Sequence, residues 1–174
     1  KTMIFNKRNK LIKTSFKIGD TPIENVKSFK YLGFTISAKN CSFQSTVDDL
    51  SLKAKRAIFA IKRKSKLSEL PTKLILKIFK SQIEPILMYG SEVWGPYLDF
   101  DYAKWETCKI EQIHTQFLKQ ILGCNIQTSN NMIRADTGER PLINIVTRKY
   151  VSYMNCVQKR KSALCYDSLA FERE

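Results

Sequence analysis

Two adjacent aspartates, Asp48 and Asp49, come closest by type and spacing to a catalytic group. Paired carboxylates can hold two divalent metal ions for phosphoryl transfer. Here the pair lies early in a helical pattern, where carboxylates interact favourably with the helix dipole. We therefore predict that Asp48 and Asp49 help to cap a helix and do not take part in catalysis.

A second group of potential ligands consists of the single histidine, His114, and the cysteines nearest to it, Cys108 and Cys124. Their spacing fits no zinc-finger pattern, and all three fall in or beside one helical stretch. We predict no metal site here. The odd number of cysteines, five in all, indicates reduced thiols in an intracellular protein, nuclear or cytoplasmic. No apolar run is long enough to span a bilayer, and we expect no membrane partner.

The net charge of +14 is distributed unevenly along the chain. Residues 1–87 hold 19 Lys and Arg against 6 Asp and Glu, whereas residues 88–174 hold 11 against 10. Solubility alone does not require such an asymmetry. We therefore expect a polyanionic partner to contact the first half of the chain.

Hydrophobic periodicity predicts an α+β fold, with a small antiparallel β region at the N-terminus followed by a mostly helical bundle. The predicted strands cover residues 2–5, 11–18 and 29–36, the last being a strand pair or a strand bent at Gly33. The predicted helices cover about 43–61, about 71–87 with a kink or end near Pro85, 102–122 before Gly123, 130–136 before Gly138, and a stretch that begins near Pro141. The tail from about residue 162 is weakly patterned.

The first predicted helix has an unusual polar face. Its apolar stripe includes Val47, Leu50 and Ala54, and cations lie around the opposite side together with Leu52 and Phe59. Cations can neutralise phosphates while apolar groups touch sugars, so this face is a candidate nucleic-acid contact. Phe59 and Leu52 could equally pack on a neighbouring part of the protein. The candidate nucleic-acid-binding residues of this helix are Lys53, Lys55, Arg56, Phe59, Lys62, Arg63 and Lys66.

An aromatic segment follows the second predicted helix and includes Trp94, Tyr97, Phe100, Tyr102 and Trp105. Such a segment could form a stacking platform for bases. It could also form the core that joins two helices. We predict a core, because the second half of the chain carries almost no net charge.

Four blocks stand out in the sequence, at residues 1–5, 29–33, 83–95, and 117–123 followed by 134–142. In this order they resemble segments of LINE-type (non-LTR retrotransposon) reverse transcriptases. Residues 29–33 (FKYLG) resemble the "YLG" block that follows the catalytic centre, and residues 1–5 (KTMIF) resemble the end of the preceding block. Residues 83–95 are similar to the family's "P-x-L-x-Y-G-x-E-x-W" segment. Residues 117–123 followed by 134–142 resemble the C-terminal pattern "E-x-G-x-x-P-L", with Asp136 in place of the more frequent Glu. The resemblance covers about residues 1–155.

The resemblance implies a role for each part of the chain. Residues 1–40 would be the palm edge with the primer-grip strands, in which Tyr31, Leu32 and Gly33 hold the primer end. Residues 41–98 would be thumb-like basic helices that clasp the template–primer duplex, 99–165 a C-terminal helical region and 166–174 a weakly structured tail. Lys1 matches a family lysine that helps to protonate the leaving pyrophosphate, which makes it the candidate general acid.

The family's catalytic aspartates lie upstream of these blocks, and the chain starts at Lys1 rather than Met. We therefore expect a fragment that lacks polymerase activity by itself. In the intact enzyme the cofactor would be Mg²⁺, and the partners would be an RNA template, a DNA primer and the upstream palm and fingers of the same polypeptide. The alternatives are a transposon-derived nucleic-acid-binding module and a helical protein–protein interaction scaffold without an enzymatic role.

Overall fold

The computed structural model describes residues 1–5, 14–38, 43–64, 69–98 and 101–160. Two small antiparallel sheets are followed by helices, which confirms the α+β prediction. The strands are β1 (Phe16–Ile18), β2 (Thr21–Ile23), β3 (Ser28–Tyr31) and β4 (Phe34–Ser37). The helices are α1 (Gln44–Lys64), α2 (Thr72–Ile78), α3 (Glu84–Leu87), α4 (Ser91–Trp94), α5 (Tyr102–Glu106), α6 (Lys109–Ile121), α7 (Asn130–Thr137) and α8 (Ile143–Lys159). Lys66, Phe100, residues 11–13 and the predicted tail lie outside the described residues.

The strand predicted at residues 2–5 is wrong. Thr2 makes only an isolated parallel bridge to Asn25. Its N–H donates to the Glu24 carbonyl at 2.8 Å and its carbonyl accepts from the Val26 N–H at 2.8 Å. The apolar residues Met3, Ile4 and Phe5 therefore have β propensity but no neighbouring strand to pair with among the described residues.

Strands β3 and β4 form a tight hairpin, which confirms the predicted strand pair. Tyr31 pairs with Phe34, so Leu32 and Gly33 alone form the turn. Both have positive φ, 47° and 87°, as the type I′ turn of two-residue hairpins requires. Glycine adopts this conformation freely, whereas a leucine in it is strained.

The outer edge of β4 is covered by the start of α1. Thr46 Oγ1 accepts from the Thr35 N–H at 2.9 Å, and Ser45 Oγ donates to the Thr35 carbonyl at 2.9 Å. Side-chain hydroxyls thus satisfy backbone groups that a third strand would otherwise pair. The hairpin and the first turns of α1 are consequently held together.

The α-helix is interrupted before Pro85 and ends soon after it, at Leu87, close to where the kink or end was predicted. Pro85 has no N–H to donate to the preceding turn, and a π-helical turn, Phe79–Ile83, stands before the short α3. The chain then turns at Gly90, whose φ is 59°. A Cβ at Gly90 would lie 2.0 Å from the Phe34 ring, so the hairpin packs directly on the backbone here.

The single helix predicted over 102–122 is wrong, because α5 and α6 are separated at Thr107 and Cys108. In a continuous helix Trp105 and Glu111 would point about 120° apart. The break lets Trp105 Nε1 donate to Glu111 Oε2 at 2.7 Å. The interruption therefore allows both side chains to enter one buried cluster.

One core is shared by most of the helices. Its largest members are the fully buried Trp94 and Trp105, whose rings stack with centroids 6.4 Å apart. The predicted ends at Gly123 and Gly138 are confirmed, since α6 and α7 stop just before them and both glycines have positive φ. None of the described helices is both long enough and apolar enough to cross a membrane.

Candidate nucleic-acid interface

The predicted polar face of α1 is exposed, whereas Val47, Leu50 and Ala54 on the opposite side are buried. Leu52 is 48% and Phe59 67% exposed. We call this surface the α1 basic face and define it by Leu52, Lys53, Lys55, Arg56, Phe59, Lys62 and Arg63. Phe59 thus does not pack inside the core, and its ring is available at the surface.

The positive charge of the α1 basic face has little internal compensation. No acidic residue occurs from Leu50 to Lys64. Lys62 donates a hydrogen bond to Gln120 of α6. Within the described part of the chain, Lys53, Lys55, Arg56 and Arg63 form no ion pair. Cations held close together without partners favour a multivalent anion.

The prediction that Asp48 and Asp49 cap α1 is wrong, because they lie in its second turn and bind other elements. Asp48 Oδ1 accepts from Lys109 Nζ at 2.7 Å, and Asp49 Oδ2 accepts from Thr35 Oγ1 at 3.1 Å. Their carboxylates therefore diverge toward α6 and β4. This arrangement does not fit a site for Mg²⁺, and the pair serves to anchor α1.

Tyr31, Leu32 and Gly33 lie at the tip of the β3–β4 hairpin. Tyr31 is 60% and Leu32 70% exposed. Tyr89 supports the tip from behind, since its hydroxyl donates to the Leu32 carbonyl at 3.0 Å and its ring stacks on Phe34. Two of the sequence blocks described above, residues 29–33 and 83–95, thus meet at this turn.

Lys1 lies at the surface beside Glu24, with 3.5 Å between Nζ and Oε2. Both side chains are more than half exposed, so the pair contributes little to stability. Lys1 belongs to the segment that bridges to Asn25 through Thr2. The structure brings it together with none of the residues of the α1 basic face.

A buried polar network around Glu111 was not foreseen from the sequence. Glu111 is fully buried and accepts from Trp105 Nε1, from Arg134 at 2.8 Å and from the Leu142 N–H at 2.8 Å. His114 lies 3.3 Å from it and stacks on Phe79. These contacts join α5, α6, α7 and the start of α8, so the network is part of the scaffold.

The network also lowers the pKa values of its two carboxylates, Glu106 and Glu111. Burial raises the pKa of Glu111, but hydrogen bonds with His114 and Trp105 outweigh burial, and the net pKa is below its usual value. The pKa of Glu106 is likewise lowered, since hydrogen bonds from Arg134 and Asn130 outweigh the effect of burial. Both carboxylates are therefore held in the charged form.

The three potential ligands that the sequence offers, Cys108, His114 and Cys124, lie in different surroundings. The His114 ring is taken up by Glu111 and Phe79, while Cys108 is half-buried and Cys124 exposed. No three His, Cys, Asp or Glu side chains in the described ranges are arranged to hold a metal ion.

The aromatic segment contains both buried and exposed side chains. Trp94 and Trp105 belong to the core. Tyr97 is exposed and its ring lies 4.9 Å from that of Phe43, and Tyr102 is also exposed. Among the described members of the segment, the core interpretation is therefore correct for the two tryptophans and wrong for Tyr97 and Tyr102.

A shallow groove runs between α1 and α6. The two helices run parallel, because Asp48 meets Lys109 near their starts and Lys62 meets Gln120 near their ends. The groove has a volume of about 200 Å³. Each helix contributes residues at one spacing, i, i+3, i+4 and i+7: Lys55, Ile58, Phe59 and Lys62 from α1, and Ile113, Gln116, Phe117 and Gln120 from α6.

Comparison of the chain with protein-family models, with curated proteins and with solved structures finds no match. The functional interpretation therefore depends on the residues and their geometry.

Proposed function

We propose that this chain is the primer-holding edge and thumb of a LINE-type reverse transcriptase, and that it grips an RNA template paired with a DNA primer. The observation that carries the proposal is the α1 basic face. This face presents five exposed cations, with two exposed apolar side chains and no acidic residue among them. Such a surface suits a phosphate backbone with adjacent sugars.

The β3–β4 hairpin supports the second half of the proposal. Its tip presents Tyr31 and Leu32 outward on a turn that Tyr89 holds in place. Thr35 and Asp49 fix the same hairpin to the first turns of α1. A primer end held at the tip would therefore be positioned relative to the helix that grips the duplex.

The exposed apolar side chains of the two sheets suggest where the rest of the polymerase would pack. Phe16, Ile18 and Phe29 are all more than 40% exposed. In the described ranges, β3 pairs only with β4 and β1 only with β2. We assign these open strands to an interface with the upstream palm of the same polypeptide.

The salt dependence of duplex binding tests the proposal. Each phosphate contact contributes a slope of roughly −0.9 to a plot of log affinity against log salt concentration. Fluorescence anisotropy with a labelled RNA–DNA duplex should therefore give a steep slope for the wild type. Replacing Lys55 and Arg56 by Gln should weaken binding and make the slope shallower by about 2.

A matched control is the double substitution of Arg148 and Lys159 by Gln on α8, which removes the same charge from exposed positions of another helix. This variant should keep the wild-type slope. Equal losses in both variants would mean that only net charge matters. A complete lack of binding at low salt would instead favour the protein–protein scaffold.

A further inference from the structure

We propose that the groove between α1 and α6 seats one unpaired nucleobase of a single-stranded segment adjoining the bound duplex. The proposal rests on the proposed function and extends it, because it assigns a ligand to the groove that the α1 basic face forms together with α6. It also gives Phe59 a role distinct from contact with duplex sugars.

The size and lining of the groove limit what can occupy it. Its volume of about 200 Å³ is below the range of roughly 300–1,000 Å³ that is typical of pockets for drug-sized ligands. Its floor is apolar, being formed by Ile58, Ile113 and Phe117. The floor therefore suits a single small group with apolar surfaces.

Phe59 provides the surface on which such a group can stack. Its ring lines the groove and is mostly exposed. None of the ring contacts within the described part of the chain involves Phe59. Aromatic side chains bind unpaired bases in this way, since every base offers a π face.

The rim of the groove supplies the remaining groups that a nucleotide needs. Lys55 lies one helical turn before Phe59 and can take a neighbouring phosphate, and no carboxylate lines the groove. The Gln116 amide makes no hydrogen bond to any described residue. An amide offers both a donor and an acceptor, which match the edge of a base.

A hydrogen bond bridges one end of the groove. Lys62 and Gln120 join across the groove near the ends of the two helices. In a duplex the bases are stacked and paired, so only a base that has left the duplex can enter. The occupant is therefore a base of a template or primer overhang.

The test compares three ligands by anisotropy with the full chain: a blunt RNA–DNA duplex, the same duplex with a short single-stranded extension, and that extension made abasic. The wild type should bind the extended duplex more tightly than the blunt one, and the abasic extension should remove the gain. Base stacking on an aromatic ring corresponds to a gain of about 5- to 150-fold.

Substitutions of Phe59 test whether its ring is responsible for the gain in affinity. Phe59→Ala should remove the gain, so that this variant binds the extended and blunt duplexes with equal affinity, whereas Phe59→Trp should keep the gain. Leu52→Ala is the matched control, because Leu52 is exposed on the same helix but does not line the groove. Circular dichroism verifies that each variant is folded.

The outcomes separate this inference from the proposed function. Salt-dependent binding of the blunt duplex without a gain from the extension overturns the inference alone. The inference is also overturned if Phe59→Ala weakens binding of both duplexes by the same factor, because the gain from the extension then persists without the ring. Phe59-dependent binding of an acidic peptide overturns it as well, if the extension adds nothing. The absence of any duplex binding overturns the proposed function itself.

Discussion

At the scale of single residues, Glu111 is a charged side chain in the interior of the protein. It is a fully buried carboxylate that contacts Trp105, Arg134 and the Leu142 amide. Removing one partner of a buried ion pair costs about 3–5 kcal/mol, because the other charge is left uncompensated. Glu111→Gln would leave Arg134, which is 6% exposed, with only Glu106 as an acidic partner.

The lowered pKa of Glu111 makes stability depend on pH in acid. A carboxylate whose folded pKa lies below its unfolded value, about 4.3 for Glu, stabilises the fold above that value and loses the effect as pH falls through the folded pKa. The free energy of unfolding, measured by urea denaturation, should therefore decrease below about pH 4.3. In Glu111→Gln this decrease should be smaller, starting from a lower stability at neutral pH.

Glu24→Gln is the control for the loss of a surface carboxylate. Among the described residues, the Glu24 carboxylate pairs only with the exposed Lys1, so the change should cost less than about 1 kcal/mol. If Glu111→Gln showed the same acid dependence as the wild type, the charged form of Glu111 would not be what holds the network together.

At the scale of elements, the β3–β4 hairpin contains a strained turn. Leu32 is the only residue other than glycine with positive φ in the described ranges. The left-handed conformation costs an ordinary residue roughly 1–2 kcal/mol, whereas asparagine tolerates it. The Leu32 side chain is mostly exposed, so its removal sacrifices little packing.

Leu32→Asn should accordingly raise the free energy of unfolding by about 1 kcal/mol. Urea denaturation followed by circular dichroism would measure the change. Ile18→Asn is the matched control, since Ile18 is equally exposed but lies in a strand with ordinary φ. The prediction is wrong if Leu32→Asn is no more stable than the wild type. Under the proposed function the same variant should also bind a primer end less well.

Hydrophobic periodicity predicts single helices well, but it does not predict contacts between residues that are distant in sequence. The amphipathic α1 was predicted because its buried and exposed residues alternate with a helical period along the whole helix. Residues 102–122 were predicted as one helix, whereas α5 and α6 are separate. Hydrophobic periodicity does not reveal that Trp105 and Glu111 contact each other. The paired aspartates were predicted to cap α1, because their partners Lys109 and Thr35 are distant in sequence and come close only in the fold.

The candidate site was predictable where it depends on one helix and unpredictable where it depends on packing between helices. Lys53, Lys55, Arg56, Lys62 and Arg63 lie on one exposed helix face, which their spacing already indicated. The groove was not predictable, because α6 contributes half of it and the packing of α6 against α1 is a tertiary property. The support of the Leu32 turn by Tyr89 likewise joins residues that are 57 positions apart.

At the scale of the whole molecule, the described carboxylates do not form a polymerase centre. Asp48 and Asp49 bind separate elements, and Glu106 and Glu111 both form ion pairs with Arg134. We therefore expect no primer extension by this chain with Mg²⁺ and deoxynucleotides, even under low-salt conditions that favour duplex binding. A complete reverse transcriptase assayed on the same template would serve as the positive control.

Under the proposed function, this chain grips the duplex and other residues of the polymerase carry out the chemistry. Extension products made by the chain would contradict the assignment of catalysis to upstream residues. Duplex binding without extension agrees with a thumb, and also with a transposon-derived binding module. These two alternatives differ in whether the open reading frame upstream of Lys1 encodes a pair of catalytic aspartates on a hairpin.

The contact between Gly90 and Phe34 has a consequence for how the sequence can change over evolution. The Phe34 ring occupies the space that a side chain at position 90 would need, and both positions lie at the junction between the hairpin and the helices. A mutation at either position therefore alters the fitness of mutations at the other. Among homologues we expect these two positions to co-vary, with glycine retained at 90 wherever an aromatic residue stands at 34.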